Sequence, residues 1–319
     1  MITIKDLSFR YREGEKNALS GISLDIPGGD FLGIIGSSGA GKTTLSYALN
    51  GVAPHHFPGD FYGEVIINGL DTVEAGTEAI ARHVGSVFQD INAQLVTPVV
   101  EDEILFGLEN FGVPREEIEG RLEESLAAAG ISELRNRTVN SLSGGQKQKL
   151  AIAAITALRP GIIVLDEPTG ELDPRSSRHI FEYLRGLNEK YGITVVVVEQ
   201  KIMLLCEFAK RLAVMDRGSL VLEGTVNQVL RNAAVLEAAG VNIPRVTTLG
   251  RALSERGLYR GEPPHNLVQA EGMMRELLAR TGPPPRKDAA PVTAGEGEKN
   301  PVLRFEGVSF AYAGETVIE

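Results

Sequence analysis

Apolar and polar residues follow two patterns along the chain, and each predicts a different kind of strand. Strict alternation, typical of strands with one buried face, occurs at residues 2–11, 22–26 and 64–68. Uninterrupted apolar runs, typical of strands buried on both faces, occur at residues 31–35, 162–165 and 194–198. Helical patterns between the last two runs favour an α/β fold, with a parallel-sheet core and a smaller antiparallel sheet beside it.

The later part of the chain divides into shorter segments. Residues 115–130 have apolar residues at helical spacing and end in glycine, which predicts an amphipathic helix with a glycine stop. After Gly224, short helical patterns predict a small helical extension over residues 226–280, of which residues 245–280 would be either regulatory or dimerising. Residues 281–301 are rich in proline, glycine and charge, so they predict a flexible interdomain linker.

The last residues of the chain repeat a pattern found at its start. Ser8, Phe9 and Tyr11 recur in the same spacing at residues 309–312. Self-similarity at a fixed offset indicates a repeated unit. We therefore expect residues 302–319 to be the first strand of a truncated second domain, and to be disordered or paired with an exposed strand edge elsewhere.

Composition bounds the class of protein. A chain of 319 residues with 43% hydrophobic residues has the length of about two domains. Its longest apolar runs are shorter than the ~18 residues of a membrane-spanning helix, and its first residues alternate like a strand, unlike a secretory leader. We expect a cytoplasmic location, with the one cysteine, Cys206, packed in the core. A net charge of −10 argues against a broad nucleic-acid-binding face.

The strongest local motif is GSSGAGKT, which follows the predicted strand 31–35 and precedes a helical run. Glycines let successive backbone N–H groups turn toward phosphate oxygens, and the helix N-terminus adds a favourable dipole. We expect Lys42 to neutralise the β- and γ-phosphates, and the Thr43 hydroxyl to bind Mg²⁺. The residues predicted to contact ATP in this loop are Gly36, Ser37, Ser38, Gly39, Ala40, Gly41, Lys42, Thr43 and Thr44.

Two carboxylates follow the buried strand 162–165, and a buried strand of a parallel sheet would deliver them to the phosphate site. Asp166 suits a metal ion, held directly or through water. Glu167 suits a base that orients an attacking water. The pair therefore predicts a hydrolytic centre beside the phosphates.

A third motif, LSGGQ, opens another helical run. Ser143 can cap that helix, and the glycine pair allows an anion to approach the free N–H groups of its first turn. The motif therefore predicts a second phosphate-binding helix end, made of Leu142, Ser143, Gly144, Gly145 and Gln146.

On these three motifs the chain resembles the ATP-binding cassette (ABC) ATPases over roughly residues 1–225, and residues 302–319 resemble the head of a second cassette. The resemblance implies a P-loop NTPase (RecA-like) parallel-sheet core, an N-terminal antiparallel β-subdomain and an α-helical signature subdomain at about residues 91–145. It also implies Mg²⁺-dependent hydrolysis of ATP. Residues 142–146 would act in trans, on the ATP site of the opposite cassette in a head-to-tail dimer.

Single positions extend the resemblance. It implies that Tyr11 lies against adenine, although a tyrosine at a strand end also fits core or edge packing. It implies that Gln89, after an apolar strand, senses Mg²⁺ and contacts the membrane part of a transporter. The loop 170–173, which ends in Asp173, matches the family's D-loop after the two carboxylates.

Gln200 stands where most of the family has a histidine. Glutamine can donate a hydrogen bond to the γ-phosphate, but it cannot carry a positive charge. We expect Gln200 to act in catalysis together with Glu167 and Lys42. We also expect this site to hydrolyse ATP slowly, with the second cassette supplying the faster site.

Residues 90–110 resemble the segment after the glutamine loop in energy-coupling factor transporters, which import vitamins and transition-metal ions. This likeness implies an ATPase subunit bound peripherally to the cytoplasmic face of the membrane. Its partners would be the second ABC domain, a membrane scaffold subunit and a substrate-binding membrane subunit, with no nucleic acid. Two alternatives remain, a soluble tandem-cassette ATPase that acts as a nucleotide switch on the ribosome, and an ABC exporter ATPase.

Overall fold

Two sheets and the helices packed against them make up the part of the chain that carries the motifs. The computed structural model describes residues 1–170, 172–281, 310–312 and 315–318. The chain divides into two units, Met1–Leu277 and Leu278–Glu319. The predicted extension from residue 226 thus lies, up to Leu277, in the same unit as the residues before it.

The strands follow the two sequence patterns. The strands described are β1 Ile2–Tyr11, β2 Leu19–Ile26, β3 Phe31–Gly36, β4 Gly59–Ile67, β5 Leu70–Asp71, β6 Val84–Val87, β7 Ile162–Asp166, β8 Thr194–Val198, β9 Arg211–Asp216, β10 Ser219–Thr225, β11 Phe310–Tyr312 and β12 Glu315–Ile318. β2, β1, β4 and β5 form an antiparallel sheet in that order. β10, β9, β3, β8, β7 and β6 form the central sheet, which is parallel except for the β9–β10 pair at one edge.

The helices described are α1 Lys42–Leu49, α2 Val52–His55, α3 Thr77–Ala81, α4 Ile91–Gln94, α5 Val100–Asn110, α6 Arg115–Ala129, α7 Gly144–Ala157, α8 Pro174–Tyr191, α9 Ile202–Phe208, α10 Val226–Arg231, α11 Ala233–Ala238, α12 Arg245–Glu255 and α13 Leu267–Thr281. α6 ends at Gly130, whose φ of 64° is the left-handed stop that the sequence predicted. The helices α10–α13 lie where the sequence has helical patterns after Gly224.

The central sheet is buried on both faces. Along β7, Ile163 and Leu165 pack in one apolar cluster with residues of α8 and α9, whereas Ile162 and Val164 pack in another with the antiparallel sheet. Continuous apolar runs therefore mark this sheet because both faces need apolar side chains. The P-loop NTPase fold with its β-subdomain and helical subdomain is the one that the sequence predicted.

The helix α7 joins the helical subdomain to the central sheet. Its Leu150 and Ala153 pack with residues of α5 and α6 in a third apolar cluster, while Ala151 and Ile152 pack in the cluster of α8 and α9. A helix that packs tightly on two sides cannot shift relative to either neighbour without breaking those contacts. This packing fixes the start of α7 relative to the ends of the sheet strands.

In the second unit, β11 and β12 pair with each other in antiparallel fashion. Disorder or pairing with an edge elsewhere was the expectation for residues 302–319, and the described part of this segment forms its own two-stranded ladder instead. Most of the predicted linker 281–301, and residues 302–309, lie outside the described residues. The predicted second cassette stays a prediction.

Candidate functional site

The loop between β3 and α1 places Lys42 at the start of a helix, in a turn that requires glycine. Gly41 caps α1 with a φ of 95°, and a Cβ added there would lie 2.5 Å from the carbonyl oxygen of Ala18. The Lys42 Nζ donates to the carbonyl oxygens of Gly36 and Ser37, at 3.0 and 2.9 Å. Burial lowers the pKa of Lys42, and the Glu167 and Asp166 carboxylates oppose that shift. The loop therefore holds the Lys42 ammonium against two of its own carbonyl groups.

Tyr11 lies at the end of β1, and its hydroxyl is 3.0 Å from the Thr44 Oγ1 on α1. Its ring makes edge-to-face contacts with Phe9 and Phe57, with centroids 4.9 and 6.2 Å away. Tyr11 therefore joins the antiparallel sheet to the helix that follows the phosphate loop. Stacking on adenine stays a prediction for this residue.

Asp166 ends β7 in a position suited to a cation. Its side chain is 1% exposed, and Oδ1 has no hydrogen-bond partner among the residues that the structure describes. Burial raises the pKa of Asp166, as does the Glu167 carboxylate, while the Thr43 hydroxyl and Lys42 act in the opposite direction. A buried carboxylate oxygen without a partner is costly unless a ligand satisfies it. Asp166 and the Thr43 hydroxyl are hard oxygen donors and fit Mg²⁺.

Glu167 is held between two side-chain amides. The Gln200 Nε2 donates to its Oε1 at 2.6 Å, and the Gln89 Nε2 donates to its Oε2 at 3.4 Å. Glu167 itself adopts a φ of 47°, which is uncommon for a residue other than glycine and is found at functional turns. The resemblance implied that Gln89 acts at the Mg²⁺ site; its amide contacts this carboxylate, and its role toward Mg²⁺ stays a prediction.

Glu167, Gln89 and Gln200 line one cleft of about 1480 Å³, together with residues of α4 and the start of α7. The hydroxyl of Ser143 caps α7, and the Gln146 Oε1 accepts a hydrogen bond from the Ser143 backbone N–H at 2.9 Å. The capping role predicted for Ser143 is therefore present. Action of residues 142–146 in trans stays a prediction.

Asp173, at the end of the predicted D-loop, caps α8, and its D-loop role stays a prediction. Its Oδ1 accepts hydrogen bonds from the backbone N–H groups of Arg175 and Ser176, at 2.9 and 3.1 Å. The bonds from Ser176 and Arg175 lower the pKa of Asp173. The preceding Glu171 lies outside the described residues.

Sequence reasoning missed three residues next to Gln200 and Glu167, namely Thr169, Glu199 and Lys201. Glu199 and Lys201 flank Gln200, and both form hydrogen bonds to the loop after Glu167: Glu199 accepts from the Thr169 hydroxyl, and Lys201 donates to the Leu172 carbonyl oxygen. The only sequence signal is a pair of charged residues just after a buried strand, a position where charged side chains ordinarily face solvent.

Comparison with known proteins places this geometry in a family. The model of the ABC transporter family matches residues 19–170. An ABC transporter ATP-binding protein of Pyrococcus horikoshii is 40% identical over 81% of this chain and 91% of its own length. The chain belongs to the ABC transporter ATP-binding family. It is an ATP-hydrolysing ABC ATPase.

Other relatives of this ABC ATPase differ in length and in name. An energy-coupling factor transporter ATP-binding protein of Clostridium novyi is 37% identical over 81% of this chain and 91% of its own length. An ABC transporter ATP-binding protein of Caldanaerobacter subterraneus is 40% identical over 75% of this chain, but only 42% of its own length is matched. No helix among the described residues is long and apolar enough to cross a membrane.

Two solved structures share the fold of this ABC ATPase. One comes from Clostridium perfringens and is described as part of the ABC transporter complex cbiONQ, with a TM-score of 0.66, 29% identity, and coverage of 78% of this chain and 97% of that one. The other is a dimeric ATP-binding cassette in a post-hydrolysis state bound to ADP and Pi, with a TM-score of 0.62, 30% identity, and coverage of 71% and 99%.

Proposed function

We propose that this ABC ATPase powers a membrane importer of the energy-coupling factor type, which takes up a vitamin or a transition-metal ion. The observation that carries the proposal is the cleft that Glu167 and α4 both line, because it brings the proposed base next to the segment 90–110. The relative from Clostridium novyi bears an energy-coupling factor name, and the structure from Clostridium perfringens belongs to the cbiONQ complex.

The residues around Glu167 suit the hydrolysis of ATP. Lys42 and the N–H groups of residues 36–44 would bind and orient the phosphates, and Tyr11 would lie against adenine. Mg²⁺ would be held by Thr43 and Asp166, with Gln89 beside it, and when bound it neutralises charge on the phosphates. The Glu167 carboxylate would orient the attacking water and accept its proton. Gln200 would hold that carboxylate and donate toward the γ-phosphate.

The cleft also offers a docking place for a membrane subunit. Its α4 side carries Ile91, Asn92 and Ala93, and Lys147 of α7 donates to the Asn92 Oδ1 at 2.7 Å. A segment bound there would contact α4 and the start of α7 together. Binding of ATP and Mg²⁺ next to Gln89 would then move the docked segment. Such movement is the coupling between ATP and transport that an importer requires.

The proposed partners follow from this arrangement. A membrane scaffold subunit and a substrate-binding membrane subunit would hold the chain at the cytoplasmic face of the membrane. A second ABC domain would place its own phosphate loop opposite residues 142–146. The relatives from Pyrococcus horikoshii and Clostridium novyi and the cbiONQ structure all carry transporter names. The alternative of a ribosomal switch is therefore not favoured.

The test is capture of membrane proteins by the tagged protein from its native cells, after gentle detergent extraction. Ala93→Arg puts a long charged side chain into the cleft, whereas the matched control Ala127→Arg changes an exposed alanine on α6. We expect a multi-span scaffold and a small membrane subunit to be captured with the wild type and with Ala127→Arg, and to be lost with Ala93→Arg. Capture of ribosomal proteins instead would reject the importer.

A further inference from the structure

The turn that carries Gln200 is tied to the loop after Glu167 on both sides of Gln200. Before it, Glu199 is 1% exposed, and its carboxylate accepts a bond from the Thr169 hydroxyl at 2.6 Å. The same carboxylate accepts the backbone N–H groups of Gln200 and Lys201, at 3.0 and 3.2 Å. Glu199 therefore fixes its own turn and attaches it to Thr169.

After Gln200, the Lys201 ammonium makes a second attachment to the same loop. Its Nζ donates to the carbonyl oxygens of Thr169 and Leu172, the latter at 3.1 Å, and to the Ser177 Oγ at 3.1 Å. These three acceptors use the three donors of an ammonium group. Lys201, in the turn between β8 and α9, therefore attaches that turn to both the loop and the first turn of α8.

The loop so attached is the one that connects Glu167 to Asp173. Within it, the Gly170 N–H donates to the Glu167 carbonyl, and the Leu172 N–H donates to the Thr169 carbonyl. Glu167 also donates its backbone N–H to Val198, the last residue of β8. The base and the turn of Gln200 are thus parts of one hydrogen-bonded unit.

We propose that Glu199 and Lys201 are positioning residues, which hold the Gln200 turn and the loop 167–173 together so that the Gln200 amide meets Glu167 in one orientation. The inference rests on the proposed role of Glu167 as the base. Ordering the glutamine amide costs backbone and side-chain entropy, and a backbone that is already fixed on both sides removes the backbone part of that cost. A small displacement of such a group lowers the rate of the chemical step far more than it lowers ATP binding.

The test measures kcat, KM and equilibrium ATP binding for Lys201→Met and for Glu199→Gln. We expect kcat to fall about tenfold, because the Gln200 amide loses its fixed orientation, and ATP affinity to stay within about twofold, because the Lys42 loop is untouched. The matched control is Lys210→Met. Lys210 also donates to a carbonyl oxygen, that of Gly29 at 2.8 Å, but this bond lies at the amino end of β3, away from the site.

A double-mutant cycle distinguishes positioning from a general structural role. If Lys201 acts through Gln200, Lys201→Met should lower kcat less than about twofold in a Gln200→Ala background. Equal losses in both backgrounds, or unchanged kcat in both single variants, would overturn the proposal. Should Lys201→Met fail to fold, Glu199→Gln in the two backgrounds decides the question alone.

Failure of the inference is separable from failure of the proposed function. Glu167→Gln should bind ATP but hydrolyse it at least ~100-fold more slowly, because the water loses its base. Wild-type hydrolysis by Glu167→Gln would reject the proposed base. Slow hydrolysis by Glu167→Gln with full activity in Lys201→Met and Glu199→Gln would reject only the positioning role.

Discussion

Replacing Gln200 by histidine tests how the charge at this position limits the rate. The Gln200 Nε2 lies 2.6 Å from the Oε1 of Glu167, the proposed base, where we expect negative charge to develop nearby during hydrolysis. An imidazolium would keep a donor there and add a positive charge. Because the Gln200 side chain is exposed, the charge is screened, and such exposed pairs contribute about 0.2–1 kcal/mol. A gain of that size in the transition state raises kcat about 1.5- to 5-fold.

The gain should depend on pH. The neighbouring Glu167 carboxylate raises the pKa of a histidine at position 200 above its ordinary value of about 6.5. The added charge is therefore fully present below that ordinary value and is lost as pH rises through the raised pKa. Glutamine does not titrate, so the ratio of the two kcat values isolates the effect of the new side chain.

The assay is steady-state release of phosphate by Gln200→His and wild type between about pH 6 and pH 9, at saturating Mg²⁺ and ATP. We expect the kcat ratio to exceed one at low pH and to fall toward one at high pH. Gln200→Ala, which lacks a donor, should be slower than wild type at every pH. A ratio that stays at or below one, or that does not change with pH, would refute the reasoning.

Three further predictions concern buried groups. Asp166→Asn should stabilise the nucleotide-free protein by about 1–3 kcal/mol at pH 7.5, because it removes the charge of a buried carboxylate whose Oδ1 has no partner among the described residues. Since the pKa of Asp166 is raised, that gain should shrink as pH falls through it, and equal urea midpoints for variant and wild type at pH 7.5 would contradict this. Gly85→Ala would put a Cβ 2.1 Å from the Ile155 Cγ2 and should cost about 1–3 kcal/mol in thermal unfolding, whereas Gly161→Ala, with open space around it, should be near neutral. Burial raises the pKa of Cys206 to about 12, so iodoacetamide at pH 8 should leave it unlabelled in the native protein and modify it in urea, as read by mass spectrometry.

Much of the sheet could be predicted because its strands are local patterns. β3, β7 and β8 are apolar runs, and β1 alternates, so their bounds follow from the period of the side chains. The strands β9 and β10 were not predicted. β9 pairs with β3, a strand about 180 positions earlier in the chain, and β10 pairs with β9 at the edge of the sheet, so their place depends on the fold as well as on their own pattern.

The site divides in the same way. The phosphate loop and the Ser143 cap are contiguous motifs with a direct physical reason for each residue, so sequence reasoning found them. The contacts of Lys201 with the loop after Glu167 join residues about thirty positions apart, and no local pattern marks them. A lysine after a strand ordinarily faces solvent, and only the fold places it against carbonyl groups.

The central claim is that hydrolysis at Glu167 drives uptake across a membrane. The most direct measurement is uptake of labelled vitamins and transition-metal ions by native cells in which this protein carries Glu167→Gln, compared with cells that carry wild type or Ala127→Arg. The account predicts that uptake of one such solute is lost with Glu167→Gln and kept with the other two. Uptake of every solute at the wild-type rate with Glu167→Gln would contradict it.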